Sequence, residues 1–302
     1  GLLENLKLHN YSKLFKDISD LQKSFPNSIF LFSLLGSMNN DLKNFKDAIN
    51  DFKNIIKINP NFAEAYYNLG VIYKSINKTS VSLDYFEKCI KLNPKNFEAY
   101  NNIGNIHRDK EEKELAIKNY LKSLEINPDY LIALQNFGVC LQNFKFSKYS
   151  IIAEKHIVNL LSKNKILRPV DIVSNLTKFI FLNTKYNETI KDFKNKQNKI
   201  LLDELINEFL EIKILTKLLK VTPITDLRIE TNLKVLRSKI LLNISSITNF
   251  NNAFKLMNLI ASQCYINEYI YPISIEEKLE LKRIDKKLKD NFEIDNIHKF
   301  IL

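Results

Sequence analysis

The chain has 302 residues, 45% of them hydrophobic, with 45 Lys and Arg against 34 Asp and Glu, for a formal net charge of +11. This is enough apolar material for one large or two ordinary domains, but no run of about 18 uncharged apolar residues suggests a membrane span, and residues 1–25 lack a secretory signal pattern. The positive charge is dispersed rather than gathered into a basic block, which argues against nucleic acid as a partner, and Cys89, Cys140 and Cys264 stand far apart with no C-x-x-C pair, which argues against a zinc site or disulfide framework and for a reducing cytoplasm.

In chain order, residues 1–26 read as a lone helix ending at Pro26 ("YSKLFKDISDLQKSFP", 11–26). A period of 34 residues then sets in. "SLLG" at 33–36 returns as "YNLG" at 67–70, "NNIG" at 101–104 and "QNFG" at 135–138, so Gly36, Gly70, Gly104 and Gly138 form one series and Pro26, Pro60, Pro94 and Pro128 another. The chain has five Gly and the fifth is Gly1, so every internal glycine is periodic. A fixed period of this length marks a solenoid of stacked units.

Residues 61–94 show what one unit is. Ala65, Tyr66, Leu69, Ile72 and Tyr73 fall at helical spacing, "SINKT" breaks the pattern, and Val81, Leu83, Phe86, Ile90 and Leu92 make a second stripe ended by Pro94. The unit is a helical hairpin that buries its stripes only by stacking on its neighbours. Glycine inside a helix costs about 1 kcal/mol relative to Ala, so we expect the periodic Gly where the two helices cross closely. The small Ala48, Ser82 and Ala116 face it, and the aromatics Phe52, Phe86 and Tyr120 follow four residues later.

The spacing therefore predicts a half repeat at 1–26, repeats at 27–60, 61–94 and 95–128, and a degenerate repeat at 129–162, where Glu154 stands at the aromatic slot. Beyond it, 163–302 reads as an α-helical extension, with stripes over 170–183, 198–219, 226–244, 252–270 and 275–290 and a flexible connection at 184–199. Ser274 and Glu277 form a capping box after Pro272. Gly1 in place of Met leads us to expect a longer natural protein.

The set Tyr66, Leu69-Gly70, Tyr73, Ser82, Phe86 and Pro94, repeated as Tyr100, Ile103-Gly104, His107, Ala116, Tyr120 and Pro128, closely resembles the tetratricopeptide repeat family; the first repeat keeps Phe32, Leu35-Gly36, Ala48, Phe52 and Pro60 but has Asn39 at the tyrosine position. The resemblance covers roughly residues 10–160. It implies an all-α fold, a right-handed superhelix of hairpins followed by the helical domain. It also implies a protein-binding module whose concave groove is lined by the first helix of each hairpin. A second resemblance lies in "LRPVDIVSNL" (167–176), "VTPITDLRIETNLKVLRSKILL" (221–242) and "IASQCYINEYIYPISIEEKLEL" (260–281). These are similar to the helical linker of bacterial tetratricopeptide proteins with a C-terminal S-adenosylmethionine-dependent methyltransferase domain. It implies that the chain is the non-catalytic recognition part of such an enzyme, with "QCYINEY" (263–269) the most distinctive piece.

No catalytic constellation is evident. All internal glycines are spent on the repeats, leaving none for a cofactor-binding turn. His9, His107, His156 and His298 are scattered, and His107 reads as a packing residue. Glu111, Glu112 and Glu114 read as a solvated helix start, and Glu268 as an internal hydrogen-bonding carboxylate. No cofactor or metal is expected. The expected binding surface is the groove. Asn68, Asn102 and Asn136 recur in one slot, and each amide has both an acceptor and donors for an extended peptide backbone. In relatives similar to the O-linked N-acetylglucosamine transferase type such asparagines form a ladder; here Leu34 holds the first rung. Neighbouring groove positions are Tyr67, Asn101, Asn105, Lys74, Arg108 and Gln135, of which Lys74, Arg108 and Asn105 come near the set with which some members of the family clamp a C-terminal carboxylate.

Overall fold

The computed structural model describes residues 2–163, 166–194, 202–266 and 274–290, all of whose regular structure is helical. It divides into two compact units, residues 1–133 and 134–302.

The first unit begins with α1 (Leu2–Ser24) and continues in three hairpins: α2 (Ile29–Asp41) with α3 (Phe45–Ile58), α4 (Ala63–Ser75) with α5 (Thr79–Leu92), and α6 (Phe97–Asp109) with α7 (Lys113–Ile126). Contacts are densest within each hairpin and continue from α3 to α4 and from α5 to α6. The core is shared accordingly. Ala48, Phe52 and Ile55 of the first hairpin bury against Ala65, Leu69 and Ile72 of the second, and Phe86 and Cys89 of the second bury against Ala99, Ile103 and Ile106 of the third. No hairpin owns a core, so stacking is what makes each one stable.

In these three hairpins the glycine series has the expected cause, with a sharper identity for the neighbour. A Cβ on Gly36 would stand 2.8 Å from the Phe52 ring, on Gly70 2.7 Å from Phe86, and on Gly104 2.6 Å from Tyr120. The periodic aromatic, rather than the opposing backbone, occupies the space. The small residue between them contributes a bond where it is serine: Ser82 Oγ donates to the Gly70 carbonyl at 2.7 Å.

Two further periodic devices escaped the sequence reading. Asn59, Asn93 and Asn127 end α3, α5 and α7, and each side-chain oxygen accepts from the backbone N–H two residues on, at 3.0, 3.1 and 3.2 Å. These Asx turns span the prolines and fix the step to the next hairpin. Lys43, Asn77 and Glu111 turn the chain between the helices of each hairpin with φ of 62°, 60° and 62°. Asn tolerates this left-handed conformation, but Lys and Glu bear a steric cost of about 1–2 kcal/mol. Lys43→Gly and Glu111→Gly are therefore expected to stabilise by roughly 0.5–1 kcal/mol each, after the added entropy of the unfolded chain. Urea titration of each variant reads this directly.

The departures at the tyrosine position are also explained. Tyr73 stacks on Tyr85 with centroids 5.2 Å apart. One repeat earlier the same two slots hold Asn39 and Asp51, and Asn39 Nδ2 donates to Asp51 Oδ2 at 2.9 Å. Burial raises the Asp51 pKa, against the effect of that hydrogen bond. One repeat later His107 Nδ1 lies 2.6 Å from Glu112 Oε2, so part of the acidic turn serves the histidine.

The second unit comprises the remainder of α8 (Leu131–Leu141), then α9 (Ile151–Ser162), α10 (Val173–Ile180), α11 (Thr184–Lys194), α12 (Leu202–Leu210), α13 (Lys213–Val221), α14 (Leu227–Leu242), α15 (Phe250–Ile266) and α16 (Ile275–Asp290). Its central helix is α13, whose Ile214, Leu215, Leu218 and Leu219 are fully buried and which packs on α9, α10 and α15. Residues 184–194, expected as flexible connection, are helix α11. Tyr186, Thr189, Ile190 and Phe193 make a buried stripe that the surrounding Lys and Asn obscure. Residues 195–199 of that stretch lie outside the described residues. The predicted stripe over 198–219 is two helices, broken at Glu211 and Ile212.

Buried polar groups lock this unit. Glu154, at the slot where earlier repeats carry an aromatic, accepts from the Tyr149 hydroxyl and from the Ile214 N–H at the start of α13. Gln263, first residue of "QCYINEY", donates to the Leu219 and Thr222 carbonyls and accepts from Ile224 N–H at 2.7, 3.0 and 3.0 Å, closing the end of α13. Glu268 lies outside the described residues. The capping box forms as expected: Ser274 N–H donates to Glu277 at 2.7 Å and Glu277 N–H to Ser274 Oγ at 3.1 Å.

Candidate functional site

Helices α2, α4 and α6 present equivalent residues every 34 positions, and the candidate site is built from α4 and α6. Lys74, in the last turn of α4, reaches Asn102 of α6, with Nζ donating to Oδ1 at 3.3 Å. Asn102 Nδ2 donates in turn to the Glu98 carbonyl at 3.1 Å. Burial, with the charge of Glu98 adding to it, pushes Tyr67 up to about 12, and the neighbouring Asn102 amide works against that rise. The Tyr67 ring packs on Phe86 at 5.8 Å between centroids. Tyr67, Lys74 and Asn102, far apart in sequence, are thus one cluster.

Lys74 is the charged member. Burial holds it below the ordinary lysine value, and the positive charge of Arg108, one repeat along in the same slot, adds to this while Asp109 opposes it. Arg108 itself is tied to Asp109, with Nη2 3.0 Å from Oδ1. The side chains therefore offer anion-binding capacity next to amide donors and acceptors.

The other expected residues divide. Asn68 of α4 lines a pocket of about 210 Å³ together with Ser37, Asn40 and Asp41 of α2 and the apolar Phe52, Val71 and Ile72. Asn105 accepts from the Tyr120 hydroxyl at 2.8 Å and so fixes the ring that faces Gly104. Asn101 is buried, with 3% exposure. Gln135 is exposed and Asn136 half-buried on α8, beyond the division into the second unit. Sequence reasoning did not single out Glu98 or the Ser37, Asn40 and Asp41 set. The signal was the period itself, since Asn40, Lys74 and Arg108 share one slot and Asp41, Ser75 and Asp109 the next.

Among the described residues no group of His, Cys, Asp and Glu is arranged to hold a metal ion, and no helix is long and apolar enough to cross a membrane.

Family models match three overlapping segments: a TPR repeat at residues 36–77, and a tetratricopeptide repeat at 63–96 and again at 97–130. No curated protein shows a match. Among solved structures, that of MamA is 24% identical over 54% of this chain and 93% of its own, with a TM-score of 0.45. YrrB, described as a TPR protein with an unusual peptide-binding site, is 17% identical over 65% of this chain and 91% of its own, with a TM-score of 0.40. PilW, described as a type IV pilus biogenesis factor, is 19% identical over 65% and 91%, with a TM-score of 0.44.

Proposed function

As a tetratricopeptide-repeat protein, with repeats matched over residues 36–130, this chain carries a protein-interaction module, and we propose that it binds an extended peptide segment of a protein partner along the face of α4 and α6, with no catalysis of its own. The observation that carries this reading is the Tyr67–Lys74–Asn102 cluster. A partly desolvated ammonium held by an amide, with no carboxylate bonded to it among the described residues, is a group kept ready for an acceptor. A peptide carbonyl or carboxylate that takes Lys74 releases the Asn102 oxygen for a peptide N–H. Asn68, whose amide has no partner among the described residues, supplies the next rung. Arg108 completes the cationic side of the site.

The test is a double substitution, Asn68→Ala with Asn102→Ala. Each lost hydrogen bond is worth about 0.5–1.5 kcal/mol, so affinity for a captured peptide is expected to fall about tenfold or more, with an unchanged melting temperature. Equal affinities reject the asparagine ladder. Cys89 and Cys140, both buried, are compatible with the reducing cytoplasm expected from the cysteine pattern.

A second reading has one observation in its favour. If the repeats are the recognition part of an S-adenosylmethionine-dependent methyltransferase, a helix near "QCYINEY" needs an apolar patch for the catalytic domain. Ile275 and Leu279, one turn apart on α16, are 74% and 61% exposed. Reading the coding sequence beyond Leu302 tests it: a strand and a glycine-rich turn there support it, and a stop codon removes it.

A further inference from the structure

We propose that the pocket between α2 and α4 receives the cationic head of a Lys or Arg side chain of the bound peptide, which gives the groove an acidic subsite beside its cationic one. This rests on the peptide-groove reading and adds the partner's chemistry to it. The pocket lining is specific. Ser37, Asn40, Asp41 and Asn68 bring side chains with oxygen acceptors to its lining, and Phe52, Val71 and Ile72 bring apolar ones. A long basic side chain matches that mixture, with methylenes for the apolar residues and a charge for the acceptors. At about 210 Å³ the space is below the roughly 300–1,000 Å³ of pockets that enclose a whole small ligand, but it admits one side chain. Its single carboxylate is too little charge for a calcium-type site, which draws on several.

Two observations set Asp41 apart as more than a solvated surface charge. On a chain of net charge +11, neither Asp41 nor Asn68 has a side-chain partner among the described residues. Asp41 also sits in the last turn of α2, which contains no basic residue, and a carboxylate at a helix C-terminus faces the negative end of the dipole. Its counterpart Asp109 on α6 is compensated by the adjacent Arg108; Asp41 carries a local cost without such relief. Along the face, then, the acid lies at the α2 end and Lys74 and Arg108 at the α4–α6 end. A peptide with a basic residue on one side and an acidic residue or a carboxyl terminus on the other fits this order.

The pocket is tested with Nα-acetyl-arginine amide, and with Nα-acetyl-norleucine amide as the uncharged control, titrated into the ¹⁵N-labelled chain. The arginine compound is expected to shift the amides of Ser37, Asn40, Asp41 and Asn68. Its dissociation constant is expected to rise about tenfold in Asp41→Asn. Asp41→Asn keeps shape and relieves the helix end, so its thermal unfolding should be unchanged or slightly raised. Equal binding of the norleucine compound, or equal binding of the arginine compound to Asp41→Asn, overturns the proposal. A random-peptide selection separates the two levels. Binders that the wild type selects without a preferred Lys or Arg leave the groove reading standing and reject the basic subsite. If no binders emerge at all, the groove reading fails, while the amide titration still decides the pocket.

Discussion

Phe86→Ala is expected to cost about 3–5 kcal/mol, the range for deleting a fully buried aromatic ring from a core that cannot collapse around the gap. Phe86 is wholly buried. It fills the space left open by Gly70 and joins the cluster of Ala99, Ile103 and Ile106 in the next hairpin. The loss is therefore felt in two hairpins at once, and urea unfolding followed by circular dichroism should show an earlier and broader transition. Gly70→Ala addresses the same contact from the other side. Its Cβ would lie 2.7 Å from two ring atoms of Phe86, an overpacking that costs about 1–3 kcal/mol and outweighs the better helix propensity of Ala. Combining Gly70→Ala with Phe86→Leu removes the clash, so the pair should be less damaging than the sum of the two changes. Strict additivity would show that the glycine series has another cause.

Arg237→Leu should be comparably severe, by a different mechanism. Arg237 Nη2 lies 3.3 Å from both carboxylate oxygens of Glu277, with side-chain exposures of 12% and 3%. Removing the guanidinium strands a buried carboxylate, at a cost of about 3–5 kcal/mol. The same carboxylate caps α16 through Ser274 N–H, so the helix loses its anchor to α14 as well. Replacing both partners, with Arg237→Leu and Glu277→Leu, should recover much of the loss, because the desolvation cost of the charges goes with them. Thermal unfolding of the single and double variants measures this; a single variant as stable as the wild type contradicts the buried pair.

The repeats were legible in the sequence because their physical cause is periodic and local. Gly70 must be small, Phe86 must fill the space, and Pro94 must end a helix. The second asparagine series, Asn59, Asn93 and Asn127, is just as periodic, yet it went unread behind the more conspicuous prolines. Helix α11 was misread because its buried Tyr186, Ile190 and Phe193 sit among Lys and Asn, and composition masked a clear 3.6-residue spacing. Glu154 looked like the loss of a repeat residue. Its role as acceptor for Tyr149 and for Ile214 N–H depends on α13, 60 residues away, and nothing local records it. The candidate site was half legible. The slot of Asn68 and Asn102 was visible as a series, but the bond from Lys74 to Asn102 and the pocket that Asn68 lines depend on how neighbouring hairpins stack. Asn101 and Asn105 were equally prominent in sequence, yet one is buried and the other holds Tyr120 in place.

The measurement that bears most directly on the proposed function is the map of amide shifts when a peptide selected against the chain is added to it. The account predicts shifts concentrated on α4 and α6, around Asn68, Lys74, Asn102 and Arg108, and reaching Asp41 for a peptide with a basic residue. Shifts confined to the second helices α5 and α7, or to residues 134–302, would contradict it.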